Sequence, residues 1–419
     1  MKQIVIVGTG MGPSSISGEG MKALGDAEVW FGASRLLELL KPFFAEKTVY
    51  PIYKPGEILE AIKNRDENSF AVLVSGDTGF YSAAAGICEA LSDYEPRLIP
   101  GVSSIAYFCA RLGIPWQDAA LLSVHGRDLS ALTGLVRRNH HTFCLTGNNA
   151  AALGEALCAT GYGDITVHAG ENLGSAEERI RTITARELSA SDIARETPLQ
   201  NARETPLQVA ERTSLHIAPL SVLLFVNEAP DDRIRFGLPD EVFVRSEGIP
   251  MTKSEIRALS LAKLALRPGD ICWDIGAGTG SVTVEMAMAA YRGKVYAVER
   301  QGNVLGLISQ NCWAFHLGNV EPIAGEAPGG LAELPPPDAV FIGGSGGNLK
   351  EILTVILEKN SRARIVITAI TLETAAAALA LLPGAELTQV SAARAKKAGD
   401  SHLFIGQNPV MIISAGGWE

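Results

Sequence analysis

The sequence predicts an α/β protein of two domains, a two-lobed N-terminal half followed by a second open sheet. Three observations carry this. The chain of 419 residues is too long for one ordinary core. Apolar, strand-like runs alternate with helical stretches along both halves. A glycine-rich turn closes the first strand of each half, at Gly8–Pro13 and again at Gly276–Gly280.

In the first half, Ile4–Val7 reads as a strand, Ser15–Leu24 as a helix and Glu28–Phe31 as the next strand. Phe70–Val74 runs into Ser75-Gly76-Asp77-Thr78-Gly79, and Tyr81–Leu91 follows as a helix. Arg97–Ile99 leads into Pro100-Gly101-Val102-Ser103-Ser104 and another helix. Three loops thus follow strand C-terminal ends, which share one rim in a parallel sheet, so they converge on one crevice. Strands at Leu121–Val124, Thr142–Leu145, Ile165–His168 and Leu220–Phe225 form a second lobe. Between them Ala194–Gln200 recurs as Ala202–Gln208, a Pro-containing duplication read as a surface insertion. Residues 229–247, rich in Pro, Asp and Arg, read as a linker between domains 1–228 and 248–419.

The second half opens with a helix over Thr252–Leu266, then Cys272-Trp-Asp274-Ile-Gly276-Ala-Gly278-Thr-Gly280 and a helix over Ser281–Ala290. The strand Lys294–Glu299 ends on an acid about 20 residues after the glycines, where a carboxylate can bind a ribose. A dinucleotide site spaces its glycines G-x-G-x-x-G, whereas here the third glycine falls one position early. This favours a nucleoside without pyrophosphate, and the ligand expected is S-adenosyl-L-methionine. Further strands are predicted at Ala339–Ile342, Arg364–Thr368, Leu387–Val390 and Val410–Ser414, the order of a seven-stranded methyltransferase sheet.

Composition bounds the partners. Hydrophobic residues make up 47% and the net charge is −10, which argues against nucleic-acid binding through a broad basic face. The six cysteines never fall as C-x-x-C and read as buried thiols, with no metal site. With neither a signal-like start nor a run of about 18 apolar residues, the expectation is a cytoplasmic protein without membrane contact.

Residues 1–228 resemble the tetrapyrrole methylases of cobalamin biosynthesis. The resemblance rests on Val7-Gly8-Thr-Gly10-Met-Gly12-Pro13, Ser75-Gly76-Asp77, Gly101-Val-Ser103-Ser104 and Ser123-Val-His125-Gly-Arg127. Gly170–Gly174 with Glu177–Ile180 resembles the branch that methylates precorrin at C5, although Thr78 stands where the family has Pro. Residues 240–415 resemble the precorrin C15-methyltransferase and decarboxylase, through Glu247–Arg257, Asp274–Gly280, Gly325-Glu326-Ala327-Pro328 and Phe341–Gly347. Together they resemble the fused C5,15-methyltransferases.

The resemblance implies a class III methyltransferase fold followed by a class I Rossmann-like fold. It implies two S-adenosyl-L-methionine sites and a precorrin substrate methylated at C5 and C15, with loss of the C12 acetate carboxyl, giving precorrin-8X. It also implies a homo-oligomer. The residues implied to bind cofactor are Gly8, Gly10, Gly12, Ser75, Gly76, Asp77, Gly79, Gly101, Ser103, Ser104 and His125 in the first half. In the second they are Thr252, Asp274, Gly276, Gly278, Gly280, Glu299, Gly325, Glu326 and Ala327. Arg245, Lys253, Arg257 and Ser345 are candidates for substrate carboxylate binding and decarboxylation. Arg394, Lys396 and Lys397 read as a basic surface loop.

Two other readings stand beside this one: the same chemistry on a cobalt-loaded ring, and a C-terminal RNA or protein methyltransferase beside a non-catalytic tetrapyrrole-binding module. The acidic balance counts against RNA.

Overall fold

A computed structural model describes residues 2–43, 47–124, 129–147, 149–191, 217–233 and 235–416. The 194–208 duplication lies outside the described residues.

The first lobe is a five-stranded parallel sheet of β1 (Gln3–Gly8), β2 (Val29–Phe31), β3 (Thr48–Tyr50), β4 (Ser69–Val74) and β5 (Arg97–Ile99), in the order β3-β2-β4-β1-β5. Its central strands are apolar throughout because helices cover both faces, so no polar alternation is needed. Phe70 to Val74, for example, are all buried. The second lobe is a mixed sheet of β6 (Ala120–Ser123), β7 (His141–Leu145), β8 (Thr166–Glu171), β9 (Arg179–Thr184) and β10 (Ser221–Val226), ordered β6-β7-β10-β8-β9.

The C-terminal half is one seven-stranded sheet, β13-β12-β11-β14-β15-β19-β16. Its strands are β11 (Ile271–Ile275), β12 (Lys294–Glu299), β13 (Val320–Ala324), β14 (Ala339–Ile342), β15 (Arg364–Ala369), β16 (Glu386–Val390) and β19 (Val410–Ala415). β11 to β15 run parallel, and β19 enters antiparallel between β15 and β16. A separate antiparallel ribbon joins β17 (Ala393–Ala398) to β18 (Ser401–Gly406). The basic group Arg394, Lys396 and Lys397, expected in a loop, therefore lies on a strand.

The segment read as a linker is packed at its C-terminal end. Leu238 and Phe243 join the core beneath the sheet, and Asp240 is buried beside Arg257. The two halves touch where the helices Ser130–Arg138 and Ala150–Ala159 end against the C-terminal sheet. His316 Nδ1 donates to Thr160 O at 2.6 Å, and its ring lies 4.7 Å from that of Tyr162. The Arg138 guanidinium sits 4.6 Å over the Tyr291 ring. A Cβ on Gly134 would meet Tyr291 O at 2.2 Å, so only glycine permits this approach. Tyr291 precedes β12 and His316 precedes β13, which puts the contact at the N-terminal ends of those strands.

Candidate active sites

In the C-terminal half, the loops after β11, β12, β13 and β14 share one rim and enclose a cavity of about 240 Å³. Gly276, Gly278, Glu299, Gly325, Glu326, Ala327, Thr252 and Ser345 line it, as do Pro250, Arg300 and Gln301. The turn after β11 is tied to β12, since the amides of Gly276 and Ala277 both donate to Val298 O. Gly276 has φ +74, and a Cβ there would lie 2.8 Å from the backbone of Gly344. Two loops therefore meet backbone to backbone, and only glycine fits. Glu299 is nearly buried, and its carboxylate accepts from Gly278 N at 3.0 Å and Gln301 N at 2.9 Å. Asn348 Nδ2 donates to Ala327 O at 3.0 Å, which joins the loops after β14 and β13. Arg300 and Glu326 face each other at 3.9 Å across the open side.

Several expected contacts are corrected. Asp274 does not line the cavity. Its carboxyl is fully buried under the turn and accepts from Thr283 Oγ1 at 2.5 Å, while Oδ1 has no hydrogen-bond partner. Burial pushes its pKa up to about 7 against the Thr283 hydrogen bond, with Glu299 adding to the rise. Gly280 instead caps the helix Ser281–Ala289 at φ +77, against Ile308. Arg257 cannot reach a substrate. Its guanidinium is fully buried, with Nε on Glu285 at 2.8 Å and Nη1 on Asp240 at 3.0 Å, and it also donates to the carbonyls of Thr252 and Leu238. It fixes the segment that carries Thr252 into the wall. Lys253 stands outside the cavity, 3.9 Å from Asp240, and Arg245 is exposed away from it.

In the N-terminal half a cavity of about 200 Å³ opens between the two lobes. Ser75, Gly76, Asp77 and Ser104 line it from the first lobe, and Leu145, Gly147, Gly170 and Ser221 from the second. Met11, Phe80, Tyr81 and Leu173 also line it, with Pro219, Leu220 and Val222 beside Ser221. Asp77 Oδ1 accepts from Gly79 N at 2.7 Å, which shapes the turn.

Gly8, Gly10, Gly12, Gly79, Gly101 and Ser103, expected as ligand contacts, do not line this cavity. A Cβ on Gly101 would fall 2.3 Å from Gly76 O, and one on Gly8 2.6 Å from Gly101 N, so these glycines let three loops pack without side chains. Gly10 exchanges two amide hydrogen bonds of 3.1 Å with Gly76, and Gly12 faces Gly174 O. Ser103 caps the helix Ser104–Leu112 by accepting from Ala106 N. The segment Gly170–Ile180 also has a structural role: Glu178 accepts from Gly174 N and Tyr107 Oη, both at 2.7 Å. His125 lies outside the described residues.

Sequence reasoning missed Arg300, Gln301, Phe80 and Tyr81. The first two could have been found as the residues that follow the acid ending β12. Tyr81 carries φ +48, a strained conformation that no local pattern announces. Among the described residues there is no group of His, Cys, Asp and Glu fit to hold a metal ion, and no helix long and apolar enough to cross a membrane.

Comparison with known proteins gives two family matches. Residues 3–189 match the Tetrapyrrole (Corrin/Porphyrin) Methylases, and residues 241–416 match a precorrin methyltransferase domain. Over 99% of its length the chain is 30% identical to a Precorrin-6Y C(5,15)-methyltransferase [decarboxylating] from Sinorhizobium sp, covering 96% of that protein. A Sulfolobus acidocaldarius protein named Probable cobalt-precorrin-6B C(15)-methyltransferase (decarboxylating) is 44% identical over 42% of this chain and 95% of its own. A crystal structure of Precorrin-6y C5,15-methyltransferase from Geobacter metallireducens matches with 38% identity and a TM-score of 0.41, over 43% of this chain and 97% of that one.

Proposed function

The chain belongs to the precorrin-6Y C5,15-methyltransferase (decarboxylating) family, and from that premise we propose that it methylates precorrin at C5 and C15 and removes the C12 acetate carboxyl in cobalamin biosynthesis. Residues 1–228 carry the C5 methylation, and residues 248–419 carry the C15 methylation and decarboxylation. The observation that carries the reading is a full-length match spanning both halves, each with its own cavity at a strand C-terminal rim.

The methyl donor in both halves is S-adenosyl-L-methionine, which when bound supplies an electrophilic methyl group on a sulfonium. The C-terminal residues fit it. Glu299 has committed one lone pair of each oxygen to an amide, so its carboxylate can still accept from ribose hydroxyls. Gly276 and Gly278 bring bare backbone to the cavity, and Ser345 extends the wall along the loop after β14. In the N-terminal half, Ser75, Gly76, Asp77 and Ser104 would hold the donor.

Methyl transfer asks the protein chiefly to hold donor and carbon nucleophile in line, which rigid loop-on-loop packing does. The nucleophile is an electron-rich ring carbon. A bound donor would give up its methyl group and depart as a neutral thioether, and the methylated carbon would then release its own proton, so no general base is needed to generate the nucleophile. Decarboxylation asks for a cavity that orients the acetate without neutralising it; the electron pair left by CO2 enters the conjugated ring, and a proton taken up at the former acetate CH2 then leaves a methyl group. The same reading makes the enzyme a cytoplasmic homo-oligomer, testable by light scattering.

Mass spectrometry of the product tests the activity. Purified protein with S-adenosyl-L-methionine should add two methyl groups to precorrin and remove one CO2. Running metal-free and cobalt-loaded rings in parallel identifies the substrate form. A single methyl addition by the intact chain would reduce the reading to one working half.

A further inference from the structure

The β17–β18 ribbon belongs to neither side of the large sheet. It leaves that sheet between β16 and β19, where Val390 pairs with Val410 and Met411 pairs with Ala369. Ala369 ends β15, so the ribbon stands on the rim formed by the C-terminal ends of the parallel strands. Glu299, Glu326 and Ser345 lie along the same rim.

A lone two-stranded ribbon is marginal in water, so its anchor matters. Arg394 supplies it. Nε and Nη2 grip Glu255 at 2.8 and 2.7 Å, Nη2 also donates to Ser254 Oγ at 2.8 Å, and Nη1 meets Asp240 at 3.0 Å. Ser254 and Glu255 lie just beyond Thr252, which is in the cavity wall. The register then fixes what else faces that way. Arg394 pairs with Ile405 and Lys396 with Leu403, so these four side chains share one face of the ribbon. Leu403 and Ile405 are nevertheless 57% and 52% exposed. Directly after β15 on the same rim, Ile370 and Leu372 are 72% and 75% exposed.

Apolar side chains this exposed, beside a lysine (Lys396) with no ion-pair partner among the described residues, suit a flat macrocycle edged with carboxylates. The ring face buries against leucine and isoleucine, and an ammonium pairs with an edge carboxylate. On a chain of net charge −10, Arg394 is already matched by Glu255 and Asp240, and Lys396 and Lys397 against Asp400 leave the ribbon a small local positive excess that attracts a polyanion.

We propose that the β17–β18 ribbon is the substrate wall of the C-terminal site, with Leu403 and Ile405 packed on the tetrapyrrole face and Lys396 paired with a peripheral carboxylate. This rests on the functional reading above and assigns its substrate contacts.

The test uses the full chain with Lys396→Ala, Lys396→Arg and Leu403→Ser. Lys396→Ala and Leu403→Ser should raise KM for the tetrapyrrole at the C15 step by about tenfold, the size of one lost charge-assisted contact. KM for S-adenosyl-L-methionine and the rate of C5 methylation should stay unchanged, and Lys396→Arg should keep most of the affinity. Unchanged tetrapyrrole KM in both variants overturns the proposal. So does a drop in assembly mass by light scattering accompanied by weaker binding of S-adenosyl-L-methionine, which would give the ribbon to a second copy of the chain. Titration of the tetrapyrrole by its visible absorbance reads the contact without turnover. A wild-type chain that binds the ring but does not methylate it would count against the function, while weaker binding by Lys396→Ala would still support the wall.

Discussion

Glu299 holds the amide of Gly278 at 3.0 Å, so the acid that ends β12 fixes the glycine turn after β11. Its other oxygen holds Gln301 N, and the same carboxylate faces the cavity. Glu299→Ala should therefore weaken S-adenosyl-L-methionine binding in the C-terminal half about ten- to hundredfold, the range for losing a charged hydrogen-bond partner. Glu299→Gln should fall between, because its amide NH2 opposes one of the two backbone donors. C5 methylation should persist in both. Calorimetric titration with regiochemical analysis of the product checks this, and equal loss at C5 and C15 in folded protein would refute the two-site arrangement.

Asp274 gives a pH-dependent stability. Burial raises its pKa from an ordinary 3.8 to about 7, so the folded chain keeps a proton that the unfolded chain releases. Between those two values rising pH favours the unfolded state, and the cost levels off above the folded pKa. Asp274→Asn keeps the shape and removes the titration. Its Tm relative to wild type should climb from about pH 4 to pH 7 and then stay flat. A Tm difference that is constant across that range would show that the carboxyl is not titrating in the fold.

Much of both sites was legible because strand, loop and helix follow one another locally. Ser75-Gly76-Asp77, Gly276–Gly278 and Glu299 each sit at a strand end that the apolar pattern marks, whereas Gly325–Ala327 follows a strand that the pattern left unread and was reached only through the resemblance; each lines a cavity. What could not be read depends on partners distant in sequence. Arg257 looks like an exposed basic residue until Glu285 and Asp240 are brought around it. Gly8 and Gly101 look like ligand loops, but their small size serves the packing of one loop on another. The ribbon of Arg394 to Lys397 was missed because its strands are exposed on both faces and carry no apolar alternation.

Arg257 should behave as a structural ion, not a substrate contact. Arg257→Ala leaves Asp240 and Glu285 buried without their shared cation, a loss of about 3–5 kcal/mol for a broken buried pair. Urea unfolding of the C-terminal half should report it. If Arg257→Ala keeps full stability and only raises the tetrapyrrole KM, then the guanidinium does reach substrate.

Gly101→Ala probes the first lobe by itself. The new Cβ would stand 2.3 Å from Gly76 O, a backbone atom that cannot rotate away. Separating the loops after β4 and β5 should cost about 1–3 kcal/mol and should lower C5 methylation while C15 methylation remains. Unaltered C5 activity would mean that the three-loop junction tolerates a side chain, and that Ser75–Asp77 are not held in place by it.

The last prediction follows from where the halves touch. Gly134 and Arg138 precede β7, and Thr160 and Tyr162 precede β8, whereas Leu145, Gly147 and Gly170 reach the N-terminal cavity from the far ends of those strands. Tyr291 and His316 likewise precede β12 and β13, whose far ends build the C-terminal cavity. Strands of this length span about 17–20 Å. Both cavities thus lie at the strand ends away from the shared contact, and among the described residues they share no lining within one chain. A tetrapyrrole methylated in one half must therefore leave that cavity before it reaches the other half of the same chain. At a donor concentration that fills only the wild-type sites, an equimolar mixture of Glu299→Ala, slowed at C15, and Asp77→Ala, slowed at C5, should therefore make the doubly methylated product at a rate close to wild type once the tetrapyrrole saturates. The singly methylated ring should be recoverable from the filtrate during the wild-type reaction. A wild-type time course with no lag and no free intermediate, beside a mixture that stalls after one methyl group, would show hand-over between the sites and overturn this reading.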